Sequence, residues 1–87
     1  MKHLTQYVAS KNALARMFGG AQLDINDAID RIEIADLLDS DISPENLTHD
    51  GELSQREIKR RYAFYMACAN ELKQCDPTVR FTEFDFM

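Results

Sequence analysis

The sequence predicts an all-α protein: a small three-helix domain with a short helical turn and an extended C-terminal tail. Three observations carry that expectation. Apolar residues recur at three- and four-residue steps in three separate stretches. Capping residues and helix stops stand at the ends of those stretches. Two-residue spacing, the mark of extended chain, is confined to the last residues. Eighty-seven residues, 45% hydrophobic and 29% charged with three Gly and two Pro, suit a single domain over 1–87.

The first helix is expected over 4–18. Leu4, Tyr7, Val8, Leu14, Ala15 and Phe18 follow the helical period, and Lys11 interrupts the stripe. Gly19-Gly20 supplies a residue able to take positive φ and stop the helix. Arg16 suits the negative end of the dipole.

The second helix is expected over 25–39, with Asp24 as N-cap and Asp27 three residues on. Ile25, Ala28, Ile29, Ile32, Ala35 and Leu38 form one stripe, while Ile34 and Leu37 fall off it. Ser43-Pro44 reads as a cap followed by Pro at the first helical position, giving one turn at 44–47.

Asp50-Gly51 is a turn, and Ser54-Gln55-Arg56-Glu57 is a capping box before a third main helix at 55–74. Ile58, Tyr62, Tyr65, Ala69 and Leu72 alternate steps of four and three, the spacing of a helix–helix seam; Phe64, Met66 and Cys68 widen it. Pro77 stops the helix at Asp76. Val79, Phe81, Phe84 and Phe86 make 79–87 an extended aromatic tail, expected to pack on its own helices or to anchor a partner. The expected core is Leu4, Val8, Leu14, Phe18, Ile25, Ile29, Ile32, Ile58, Tyr62, Tyr65, Ala69 and Leu72.

Charge is segregated beneath a net value of −5. Residues 1–23 carry +3, residues 24–53 carry ten acids against Arg31, and residues 54–80 return to +3. The acids at Asp24, Asp27, Asp30, Glu33, Asp36 and Asp39 stand at every third position. Each three-residue step falls about 60° short of a full turn, so five steps carry them through about 300° of a helix. Some of them must therefore approach the core or a partner, with a base such as Lys59 or Arg60 as the expected counterpart.

Catalytic chemistry is poorly supported. There is no Gly-rich nucleophile turn or phosphate loop, His3 and His49 stand alone in surface segments, and Cys68 lies among apolar neighbours that raise a thiol pKa. No enzyme activity and no cofactor are expected. Cys68 and Cys75, seven residues apart on one helix, are about 10 Å apart and cannot be bridged. No run approaches the ~18 apolar residues of a membrane span, and the first ten residues lack an apolar signal core, so a cytoplasmic protein without membrane contact is expected.

Residues 46–57 resemble an EF-hand loop in spacing. Asn46, Thr48 and Asp50 fall at the first three ligand positions, Gly51 at the sharp turn, Leu53 and Ser54 at the eighth and ninth, and Glu57 at the twelfth. Asn and Thr replace the usual acids at the first and third positions, which makes any calcium site weak. A D-G turn running into a capping box accounts for the same residues without metal, and no metal is expected.

Three functional readings remain, the last of them a weak EF-hand-like calcium-binding or purely structural helical protein. In the first, the acidic segment (Asp24, Asp27, Asp30, Glu33, Asp36, Asp39) meets a basic protein surface, with Phe84 and Phe86 as a second anchor. By analogy of charge pattern this is the physics of inhibitors that imitate a phosphate backbone, including those of mobile elements. Self-pairing through the tail or the third main helix belongs to the same class. In the second, Arg56, Lys59, Arg60 and Arg61 contact nucleic acid. Net negative charge weighs against it. So do three consecutive bases, which fan across about 200° of a helix.

Overall fold

A computed structural model describes residues 2–47 and 54–82. They form four helices: α1 (Lys2–Phe18), α2 (Ala28–Ile42), α3 (Pro44–Leu47) and α4 (Gln55–Cys75). No strand occurs among the described residues, so the all-α expectation holds, with each main helix within a few residues of its expected limits. No helix is long and apolar enough to cross a membrane among the described residues.

α4 is the central element, and α1, α2 and α3 each pack on it. Leu4, Ile34, Leu38, Cys68 and Leu72 are fully buried, and Tyr7, Val8, Ala35, Ile42, Ala69 and Val79 complete the core. Burying one large aliphatic side chain contributes about 1.5–3 kcal/mol, so these few residues hold much of the fold.

The helix ends follow their chemistry. Gly19, at φ 77°, closes α1, and the Gly20 N–H reaches back to the Ala15 carbonyl at 2.7 Å, the Schellman closure. α4 starts at Ser54, whose hydroxyl accepts from the Glu57 N–H at 3.2 Å. Glu57 does not complete the box; its carboxylate turns to Arg60 at 3.1 Å. At the far end the Asp76 N–H bonds the Leu72 carbonyl at 2.8 Å.

α2 starts three residues later than expected. Asp27, not Asp24, is its N-cap and accepts from the Ile29 N–H at 3.2 Å. Asp24 instead closes a turn ahead of the helix, accepting from the Asn26 N–H at 2.9 Å. Residues 20–27 fold back on α1, where the Asn12 amide bonds both the N–H and the carbonyl of Leu23. Leu23 and Ile25 then pack on the core from the loop. A helix begun at Ile25 would lose that return path.

Six expected core residues lie outside it, Ile58 half-buried and the other five exposed. Leu14, Phe18, Ile29, Ile32 and Tyr62 are exposed, Phe18 by 80%. On α1 the cause is length: Leu4, Tyr7 and Val8 are buried, and the same stripe runs on past its cover to Leu14, Met17 and Phe18. On α2 the cause is phase. Ile34, Ala35, Leu38, Asp39 and Ile42 face inward, so the stripe through Ile29 and Ile32 faces out.

Beyond α4, residues 76–82 return to the core and to α2. Val79 is buried and Phe81 packs on the cluster. The Lys73 ammonium donates to the Val79 carbonyl at 2.6 Å. Phe84 and Phe86 lie outside the described residues.

Candidate functional site

Two side chains of α2 tie it to the segment that follows α4. Arg31 donates to Asp76, at the end of α4, at 2.8 Å and to the Ile25 carbonyl at 2.9 Å. Eight residues on, the Asp39 carboxylate accepts the Thr82 N–H at 2.9 Å. The stretch 76–82 thus meets α2 near both its ends. Asp39 is only 9% exposed. The expected inward carboxylate is therefore Asp39, and its counterpart at Thr82 is a backbone N–H rather than Lys59 or Arg60. Arg60 is turned to Glu57 within α4.

The Arg31–Asp76 contact also shapes the electrostatics of this end of α2. Thr78 donates through its hydroxyl, Arg31 through its guanidinium and Thr78 again through its N–H, and together they hold the Asp76 carboxyl at about 2. The same bond raises the Arg31 pKa. Arg31, the one base between residues 24 and 53, is thereby directed at Asp76 and away from the acids around it.

Among the described residues, Asp24, Asp27, Asp30, Glu33 and Asp36 form no ion pair. Asp24, Asp27 and Asp30 have local work. Asp27 caps α2 and Asp24 closes the turn before it, as described, and Asp30 accepts the Asp24 N–H at 2.8 Å. Glu33 and Asp36 are exposed and make no hydrogen bond among the described residues. With Ile29 and Ile32 they occupy about 100° of the α2 circumference, opposite Ile34, Leu38 and Ile42. Ile29 is 73% exposed and Ile32 58%. The acids stand out in the sequence, whereas helical periodicity places these isoleucines in the core. Their exposure follows from helix phase, which periodicity alone leaves open when a helix carries two apolar stripes.

The basic residues sit elsewhere. Arg56, Lys59, Arg60 and Arg61 are all exposed on the first half of α4. Arg56, Lys59 and Arg60, at positions i, i+3 and i+4, share one face, and Arg61 points about 100° away from Arg60.

Two polar clusters link α1 to the other helices. The Tyr7 hydroxyl donates to Asp41 at 2.5 Å, and Lys11 pairs with the same carboxylate at 3.1 Å. Burial first, then the Asp41 hydrogen bond, push the Tyr7 phenol far above its ordinary pKa. A cavity of about 200 Å³ opens beside them, walled by Leu14, Phe64 and Tyr65. At the start of α1, Glu71 receives the Leu4 N–H at 2.9 Å and His3 at 2.7 Å. Partial burial would raise this carboxyl, but those two hydrogen bonds and the nearby positive charge hold it below its ordinary value. His3, expected to stand alone, is thus tied to α4. A pairing across 68 residues leaves no local signature.

Cys68 is one turn from Glu71 but fully buried. Burial, with the Glu71 charge adding to it, pushes its thiol up to about 12 and keeps it protonated. Cys75 is exposed, and both thiols are free.

Of the EF-hand-like positions, Thr48, Asp50, Gly51 and Leu53 lie outside the described residues. The two ends have other partners: the Asn46 amide donates to the Ser40 carbonyl at 2.6 Å, and Glu57 pairs with Arg60. No group of three or more His, Cys, Asp or Glu side chains is placed to hold a metal among the described residues.

No protein-family model matches the chain, and no curated protein or solved structure matches it.

Proposed function

We propose that this chain is a small, non-enzymatic protein-binding module of the cytoplasm that meets a basic protein surface through the acidic segment. One observation carries the reading: Asp24, Asp27, Asp30, Glu33 and Asp36 lack an ion-pair partner among the described residues, while the only base of the segment is held by Asp76. Five carboxylates left without a counter-charge make a negative field that attracts and orients a Lys/Arg-rich surface. A buried, protonated Cys68 speaks against nucleophilic chemistry, and two free thiols suit a reducing compartment.

The variant Glu33→Gln/Asp36→Asn tests this reading, because neither side chain holds the helix together. Wild type and variant are used as baits in host lysate, washed at rising salt, and recovered proteins identified by mass spectrometry. The expected result is a basic partner retained by wild type at low salt and lost from the variant. If both baits retain the same partners to the same salt concentration, the reading fails.

The exposed face of Arg56, Lys59 and Arg60 favours a second reading, contact with nucleic acid. Gel-shift titration of duplex DNA at two salt concentrations tests it. Binding that weakens with salt and is lost in Arg56→Ala/Lys59→Ala/Arg60→Ala supports this second reading, and absence of a shift at low salt removes it.

A further inference from the structure

We infer that the outward ridge of α2 is a docking site for a basic amphipathic helix, seated on Ile29 and Ile32 with its cations against Glu33 and Asp36. The inference rests on the protein-binding reading and specifies its partner.

The ridge is apolar where a purely electrostatic surface has no need of it. Ile29 and Ile32 lie one turn apart and are more than half exposed, although the inward face of the same helix already supplies Ile34, Leu38 and Ile42 to the core. The fold therefore does not consume these two side chains. Glu33 and Asp36 adjoin them on the same face, and neither is engaged within the described protein. From Ile29 to Asp36 the ridge rises about 10 Å at 1.5 Å per residue. Side chains at i, i+3, i+4 and i+7 form a convex row that fits the groove of a second helix.

Charge complementarity selects the occupant. Carboxylates repel nucleic-acid phosphates and anionic lipid headgroups, and they attract Lys and Arg. Two isoleucines require an apolar strip between those cations. A helix with an apolar stripe flanked by Lys or Arg meets both demands at once. The contact is small, so its affinity belongs with transient encounters.

A synthetic peptide of leucine and lysine, ~18 residues or five turns long, with leucine at helical spacing, is the probe. Its controls are a scrambled peptide of the same composition and a peptide with glutamate in place of lysine. Fluorescence anisotropy measures binding to the full chain, and sedimentation velocity without peptide measures self-association. The patterned peptide is expected to bind wild type, and Ile29→Ser/Ile32→Ser is expected to weaken it at least ~tenfold, as loss of two apolar anchors should. Neither control peptide should match it. Circular dichroism must show the variant folded, which exposure of both residues favours.

Absence of binding overturns the inference, as does equal binding of the scrambled peptide. So does self-association through Ile29 and Ile32, which would make a second copy the occupant. If Glu33→Gln/Asp36→Asn weakens peptide binding but the isoleucine pair does not, the inference falls and the acidic-surface reading stands. If neither pair matters, both fall.

Discussion

Ile34 and Ile32 are two residues apart on the same helix and have opposite fates. Ile34 is fully buried, whereas Ile32 is more than half exposed, and Ile29 is more exposed still. Composition cannot distinguish them, nor can helix propensity. The difference lies in the rotation of α2 about its axis. Burial of Ile34, Leu38 and Ile42 in the core selects that rotation, and contacts at both ends agree with it: Arg31 reaches Asp76, and Asp39 receives the Thr82 N–H. A residue's place in the period matters only once something outside the helix chooses the origin.

The largest test of that contrast is truncation on the inner stripe. Leu38→Ala should cost about 2–5 kcal/mol in urea unfolding, the range for a buried leucine leaving a cavity. Ile29→Ala should stay within about 0.5 kcal/mol, as surface changes do. Similar losses for the two would mean that α2 is rotated from the orientation described.

The Asp39–Thr82 contact comes next. Asp39→Ala leaves the Thr82 N–H without its acceptor, a loss of about 1–3 kcal/mol. Asp39→Asn keeps an oxygen in place and should recover part of it. Equal destabilisation by both would show that charge, not hydrogen bonding, holds this end.

The Arg31–Asp76 contact adds a pH dependence. Asp76 titrates at about 2 in the folded protein against 3.8 ordinarily, so between those values the unfolded chain binds the proton first. Stability from this carboxylate is complete above about pH 4 and is lost as pH falls through about 2. Wild type should therefore melt higher than Asp76→Asn at neutral pH, with the gap closing across that window. A gap unchanged down to pH 2 would remove the ion from the explanation. The smallest effect on stability is expected for Glu33→Gln/Asp36→Asn, whose melting temperature should match wild type while partner binding changes.

Much of this was legible before any fold was known. Gly19, Ser54 and Pro77 mark helix ends because their chemistry is local: φ freedom, a hydroxyl acceptor, a ring that excludes helical geometry. The winding of the acids around α2 was also legible, and one of them, Asp39, does turn inward. The candidate surface was half legible. Glu33 and Asp36 stand out as charge, but Ile29 and Ile32 look like core to any periodic reading, and His3–Glu71 joins residues 68 positions apart.

By itself, then, the sequence determined that there would be helices, about where they would stop, and that negative charge would concentrate on the second. It could do so because capping, periodicity and charge act over a few neighbouring residues. Only the tertiary structure decided which isoleucines are inside, where α1 outruns its cover, and which carboxylate is consumed by the fold. Those outcomes depend on contacts between segments far apart in the chain: for α2, the packing of Ile34, Leu38 and Ile42 in the core, with Arg31 to Asp76 and Asp39 to Thr82 beside it.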